Sequence, residues 1–235
     1  MTACRATRDQ IAQLSALSAC EVADALVKLK HPSGGYIPDL ERFSGSDGKV
    51  LVGEVFTVEL VDGDDIESPK LDGHFVDLAE PDSVLFISTP AHTKSASLGG
   101  LLATALHKKG VRGVVTSGRC RDLAELRDLD FPVFARGRSI LGQSPFTRPS
   151  RVQVPLEIHP QPAAATPFEP TFPPTTVYPG DVVLADLDGV VVVRPELIDE
   201  VVRLATAGKE VDERCRDDLL QGAGVKKTFA KHRGK

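Results

Sequence analysis

The sequence predicts a single mixed α/β domain, and three observations predict it. Strand-like and helix-like segments alternate from Ser83 to Ala135, pairs of strand-like segments lie on both sides of that stretch, and no internal repeat is visible. A chain of 235 residues is long enough to bury a sizeable core. Hydrophobic residues at 41% and charged residues at 26% exclude a disordered or collagen-like chain.

The elements follow in order. Ile11, Leu14 and Leu17 stand at helical spacing, and Ser18 with Glu21 forms a capping box ahead of a second apolar stripe at Val22, Leu26 and Leu29. Two N-terminal helices are therefore expected over about 8–30, ended by the tract HPSGGYIPDL. Strands are expected at Val50 to Leu60, where Phe56, Val58 and Leu60 alternate with polar positions, and at Ser83 to Ser88. A helix from about Leu98 to Lys109 is closed by Gly110, with Lys108 and Lys109 in the last turn, where the helix dipole favours cations. A strand from Val111 to Ser117, a short helix from Asp122 to Leu129 and a strand from Pro132 to Ala135 complete the alternating stretch. Ten of the chain's 17 prolines lie between Pro145 and Pro179, which excludes a long helix there. The apolar alternation of VQVPLEI argues for edge strands rather than a linker. DVVLADLDGVVVV reads as two strands around a turn at Asp188 and Gly189. A long helix is expected after Pro195, with Ile198, Val201, Val202 and Ala205 on one face, so that a C-terminal helix and a basic tail fill 195–235. The tail from Lys226 to Lys235 is expected to be a solvated terminus.

Composition narrows the partners. Lys and Arg number 28 against 33 Asp and Glu, a net charge of -5, which argues against nucleic acid. No apolar run approaches the roughly 20 residues that cross a bilayer, and MTACRATRDQ lacks the apolar core of a secretory signal; no membrane partner and a cytoplasmic location are expected. Cys4, Cys20, Cys120 and Cys215 form no C-x-x-C pair, and the histidines form neither H-x-H nor H-E-x-x-H. Any metal must rest on carboxylates.

The stretch from Ser83 to Asp122 holds the chemistry. Its helix runs about 15 Å at about 1.5 Å per residue, and the next strand returns a similar distance, so TPAHTKSASLGG and SGRCRD share the carboxyl edge of two parallel strands. Open α/β sheets usually bind ligands at that edge. Gly99 and Gly100 open a helix whose N–H groups can approach an anion. In the facing turn, Arg121 can grip a carboxylate in a fork and Asp122 can hold a hard cation such as Mg²⁺. The same turn could instead be a helix N-cap with a surface ion pair. Arg119 either supplements the anion site or points to water. His92 and Lys94 either line the entrance or face solvent, and Asp186 with Asp188 has a sufficient explanation as a turn.

GGLLATALHKKGVRGVVTSGRCRDLAEL followed by DFPVFARG resembles the family that contains 4-hydroxy-4-methyl-2-oxoglutarate aldolase and the regulator of ribonuclease activity A. The likeness extends through ACEVADAL near the start and GDVVLADLDGVVVV near the end. It implies a β/β/α swivelling-type sandwich with a mixed sheet and flanking helices, assembled into homotrimers or hexamers with active sites between subunits. It further implies a lyase dependent on Mg²⁺ or Mn²⁺ that releases pyruvate from a short 2-oxo acid, by aldol cleavage or by decarboxylation of oxaloacetate. Carried over by resemblance, Arg121 binds pyruvate, Asp122 coordinates the metal, and the amides of Leu101 and Leu102 contact the keto acid beside Gly99 and Gly100. An acidic residue often follows the first glycine in such enzymes, whereas this chain has Gly100. A glutamate from a neighbouring subunit's C-terminal region would correspond to Glu210 or Glu213. The alternative that the resemblance implies is a non-catalytic regulator that binds a ribonuclease.

Overall fold

A computed structural model describes residues 5–46, 48–161 and 172–234; Cys4, Lys235 and part of the proline-rich tract lie outside the described residues. The N-terminal region forms α1 (Arg8–Leu14) and α2 (Ala19–Lys28), each opened by a capping box, Thr7 with Gln10 and Ser18 with Glu21. Then come β1 (Tyr36–Ile37), β2 (Glu41–Ser44), β3 (Leu51–Asp62), α3 (Phe75–Leu78), β4 (Val84–Ser88), β5 (Ala96–Leu98), α4 (Gly100–Lys108), β6 (Gly113–Thr116), β7 (Arg119–Cys120), α5 (Leu123–Asp128) and β8 (Val133–Ala135). The C-terminal part contains β9 (Thr147–Val152), β10 (Leu156–Ile158), β11 (Thr175–Val177), β12 (Val182–Ala185), β13 (Val190–Val193), α6 (Ile198–Leu220) and α7 (Val225–Arg233).

The main sheet runs β1-β13-β12-β3-β4-β6-β8-β2, with β9 also paired to β3. Its centre, β3, β4, β6 and β8, is parallel, with Val55 opposite Val84, Val84 opposite Gly113 and Val114 opposite Val133. Both faces of this centre are covered, which is why β4 reads as an unbroken apolar run. Leu85 and Ile87 pack with Ala103, Leu106 and Leu126 on the helical face. Val84 and Phe86 pack with Leu156 and Ile158 on the other, beneath the β10–β11 pair. A third cluster seats α1, α2 and α6 on β12 and β13 through Leu14, Val22, Leu26, Val191 and Val201. This is the layered α/β arrangement, a mixed sheet with flanking helices, that the sequence predicts.

Two expectations are corrected. Leu98 belongs to β5 rather than to a helix, because Gly99 is extended, at φ -138° and ψ -178°, and the helix begins only at Gly100. The basic tail is not a bare solvated terminus: it forms α7 and folds back on α6. There Lys231 Nζ and His232 Nε2 reach Asp218 at 2.9 and 2.8 Å, and Arg233 reaches Asp212 at 2.6 Å. Asp181, at the turn before β12, is buried, accepts the Tyr178 N–H at 2.8 Å and lies 3.2 Å from Arg194 Nε. Burial outweighs that guanidinium and raises its carboxyl pKa to about 6.

Candidate active site

The parallel strands β4 and β6 end at one edge and lead, through the loop 89–95 and the turn 117–118, to β5 and β7, which pair in parallel there. Leu98 and Cys120 are buried toward the helices, so Arg119 and Arg121, one residue either side of Cys120, project from the opposite face. The Arg121 N–H donates to the Leu98 carbonyl at 3.0 Å and clamps the turn to β5. Asp122 then takes the left-handed conformation, at φ 60° and ψ 45°, which aspartate tolerates better than most residues.

That twist aims the Asp122 carboxylate back at α4. Its Oδ2 accepts the Gly100 N–H at 3.0 Å and stands 3.4 Å from Arg121 Nε. Gly99, at the N-cap of α4, has no side chain to satisfy the first-turn amides, and Asp122 supplies the acceptor from another element. Asp122 also sits at the N-cap position of α5, yet its side chain does not cap that helix. The simple N-cap reading of Arg-Asp therefore gives way to a bridge between two strand–helix units.

The paired glycines are explained by what fills their space. A Cβ on Gly99 would fall 2.5 Å from Asp122 Oδ2 and 3.0 Å from Arg121 Nε. A Cβ on Gly100 would fall 1.8 Å from Glu125 Oε2 and 2.8 Å from its Cδ. The Glu125 carboxylate thus occupies the volume that a side chain at position 100 would need. Glu125 is a candidate site residue that the sequence reading missed; the packing of α5 on α4, not a spacing along the chain, brings it to Gly100. Asp122 and Glu125 are both exposed at the helix tip. Two carboxylates suit a hard cation that keeps several waters, as Mg²⁺ does. Among the described residues no group of three or more His, Cys, Asp or Glu gathers to hold a metal. Leu101 and Leu102 lie in the first turn of α4, where backbone N–H groups have no intrahelical acceptor.

The other candidate residues have surroundings of their own. Glu210 and Glu213 are exposed on α6, which packs on α1, α2 and α7. His92 pairs with Asp62 at 2.9 Å and Lys94 is exposed. Asp186 accepts from the amides of Ala19 and Asp188 at 2.8 and 2.9 Å, a capping and turn role. Cys120 is buried, and burial pushes its thiol up to about 11, so it is no nucleophile at neutral pH. A cavity of about 630 Å³ lined by Arg5, Glu54, Glu80 and Arg112 lies at the amino edge of the parallel strands, away from these groups.

These features define an α/β protein whose candidate site lies at the carboxyl edge of its parallel strands. The chain belongs to the RraA-like family (Aldolase/RraA), whose model matches residues 19–192. Two relatives bear the name "Putative 4-hydroxy-4-methyl-2-oxoglutarate aldolase". That of Halalkalibacterium halodurans is 26% identical over 170 residues, covering 72% of this chain and 71% of its own. That of Photobacterium profundum is 30% identical over 149 residues, covering 63% and 79%. An uncharacterized protein of Methanocaldococcus jannaschii is 29% identical over 133 residues, 57% of this chain and 57% of that one. Protein DlpA of Legionella pneumophila is matched over 88% of this chain but only 30% of its own length, at 22% identity. Among solved structures, an uncharacterized protein from Pseudomonas syringae pv. tomato superposes with a TM-score of 0.77 at 24% identity, covering 95% of this chain and 98% of that one. Streptomyces coelicolor RraAS2, described as an unusual member of the RNase ES inhibitor RraA protein family, gives 0.73 at 24% identity, covering 90% and 98%. These two likenesses show the fold. No helix among the described residues is long and apolar enough to cross a membrane.

Proposed function

We propose that this chain is a divalent-metal-dependent lyase that cleaves a C–C bond of a short 2-oxo acid and releases pyruvate, as a 4-hydroxy-4-methyl-2-oxoglutarate aldolase, an oxaloacetate decarboxylase, or both. One observation carries the reading: the Asp122 carboxylate is held between the Gly100 N–H at 3.0 Å and Arg121 Nε at 3.4 Å, at the tip of a glycine-opened helix. Asp122 would hold Mg²⁺ or Mn²⁺, with Glu125 as the second carboxylate. When bound, the ion supplies electrophilic stabilisation of the charge that develops on the keto oxygen.

The chain's own groups do the rest. Arg121 grips the substrate carboxylate in a fork, and the first-turn amides of Leu101 and Leu102 add donors at the positive end of α4. These donors are fixed before the reaction, so they favour an enolate over the neutral keto acid. Retro-aldol cleavage and decarboxylation of oxaloacetate leave the same enolate, so one arrangement serves both. In the cleavage direction a base must accept the substrate hydroxyl proton. We assign that role to Glu210 or Glu213 of a neighbouring chain in a homotrimer or hexamer. Exposed apolar residues at the mouth of the site support such an assembly: Leu101 is 83% exposed and Ile140 is 93% exposed.

The test is pyruvate release from oxaloacetate with and without Mg²⁺, in the wild type and in Asp122→Asn. Metal-dependent turnover that EDTA abolishes and Asp122→Asn removes is expected. No adduct is expected from borohydride with pyruvate, which would trap a lysine Schiff base. If no short oxo acid is turned over in a metal-dependent way, binding of a ribonuclease replaces this reading.

A further inference from the structure

We infer that Arg119 is a specificity-determining residue that reads a second carboxylate on the substrate, so that the site favours 2-oxo diacids over monoacids of similar size. The inference rests on the oxo-acid reading above and deepens it.

Arg119 and Arg121 flank the buried Cys120 and share the face turned away from the helices. One loop backs both guanidiniums. A Cβ on Gly137 would come 2.8 Å from Arg119 Nη1, and a Cβ on Gly142 would come 3.1 Å from Arg121 Nη1. The loop is fixed to β7 by the Cys120 N–H to the Gly137 carbonyl at 3.0 Å and the Ser139 N–H to the Cys120 carbonyl at 2.9 Å. Both guanidiniums therefore lie against this loop, in space that its two glycines leave open.

Charge separates the two. Arg121 has Asp122 beside it, whereas Arg119 donates to the Arg138 carbonyl at 3.1 Å and has no carboxylate partner among the described residues. Arg138, on the same loop, has none either. A half-buried guanidinium left uncompensated beside an oxo-acid site selects a substrate that brings its own second negative charge. The spacing agrees. Two residues along an extended strand separate the arginine Cα atoms by roughly 6–7 Å. The terminal carboxyl carbons of a four- or five-carbon diacid stand about 4–5 Å apart, from single bonds near 1.5 Å. One fork for each carboxylate fits within the flexibility of the side chains.

Calorimetric titration in Mg²⁺ at fixed ionic strength tests this with 2-oxoglutarate as the diacid and 2-oxobutyrate as the monoacid. The wild type should bind the diacid about tenfold more tightly, the size of one charge-assisted contact at a half-exposed site. Arg119→Gln should erase that margin while 2-oxobutyrate affinity stays within about twofold, and Arg119→Lys should restore part of it. A margin that survives in Arg119→Gln, or an equal weakening of both acids, would overturn the assignment; the latter would mark Arg119 as a mere clip for the 137–142 loop. A margin that depends on Arg119 in a protein without metal-dependent turnover would sink the lyase reading and leave Arg119 standing. A wild type that binds neither acid would overturn both.

Discussion

Replacing Gly100 by alanine isolates what Glu125 does. The new Cβ would lie 1.8 Å from Glu125 Oε2, 2.8 Å from Cδ and 3.1 Å from Cβ, so the glutamate side chain must swing away. Its carboxyl end is flexible and exposed, so that movement costs the fold little. Alanine also removes the conformational freedom of glycine in a helix, worth at most about 1 kcal/mol. The two effects oppose, and the melting temperature should stay within about 3 °C of the wild type. Metal affinity should suffer more than stability. With the second carboxylate displaced, Mn²⁺ affinity measured by calorimetry should fall about tenfold or more, by analogy with disturbed metal-ligand shells. Glu125→Ala should do the same, and the double variant should be no worse than either single, since both remove one contact. Full Mn²⁺ affinity in Gly100→Ala would refute the reasoning. So would a collapse in stability, because the obstruction would then be something other than a movable side chain.

Three further outcomes follow from the structure. Asp181 has its carboxyl pKa raised by burial to about 6, above the usual aspartate value of about 4, so folding takes up a proton in that window and stability falls as pH rises from about 4 to 6, by at most about 3 kcal/mol. Asp181→Asn should flatten that decline in urea titrations while still accepting the Tyr178 N–H; an unchanged slope would show that Arg194 already compensates the charge. In a Cys4→Ser background, an aromatic disulfide reagent should label exposed Cys20 quickly and leave buried Cys120 and Cys215 unreacted until denaturation; three fast thiols would contradict the packing. Hydrogen bonds from Lys231 and His232 hold the Asp218 carboxyl below its ordinary pKa, so the docking of α7 should persist at neutral pH and weaken as pH falls through the carboxylate range. Hydrogen exchange across 225–233 should accelerate in Asp218→Asn at neutral pH, and unchanged protection there would show that α7 is held by other contacts.

The alternating centre of the fold was legible because its signals are local. The strands VLFIS and GVVT are apolar enough to be buried on both faces, and Gly110 marks the end of α4. Order along the chain then placed the Gly99–Gly100 tip and the Arg121–Asp122 turn at one edge. What the sequence concealed depends on distant parts of the chain. Leu98 fits the apolar spacing of α4, and only its pairing with Cys120 makes it a strand residue. VKKTFAKHR is too polar to announce a packed helix, and α7 forms against acids supplied by α6. Glu125 escaped notice because its place beside Gly100 is set by how α5 packs on α4, and no residue spacing encodes that. Glu210 and Glu213 look alike in sequence and remain alike on the exposed face of α6.

The bond from the Gly100 N–H to the Asp122 carboxylate makes one side chain answer to two demands. It is a cross-brace between neighbouring strand–helix units as well as a charged group at the mouth of the site. Truncation to alanine would loosen the scaffold and remove the charge together, whereas asparagine keeps an oxygen for the amide and tolerates the left-handed backbone. It follows that this aspartate has a structural task independent of turnover, so its presence in a relative testifies first to a shared framework and only then to shared chemistry.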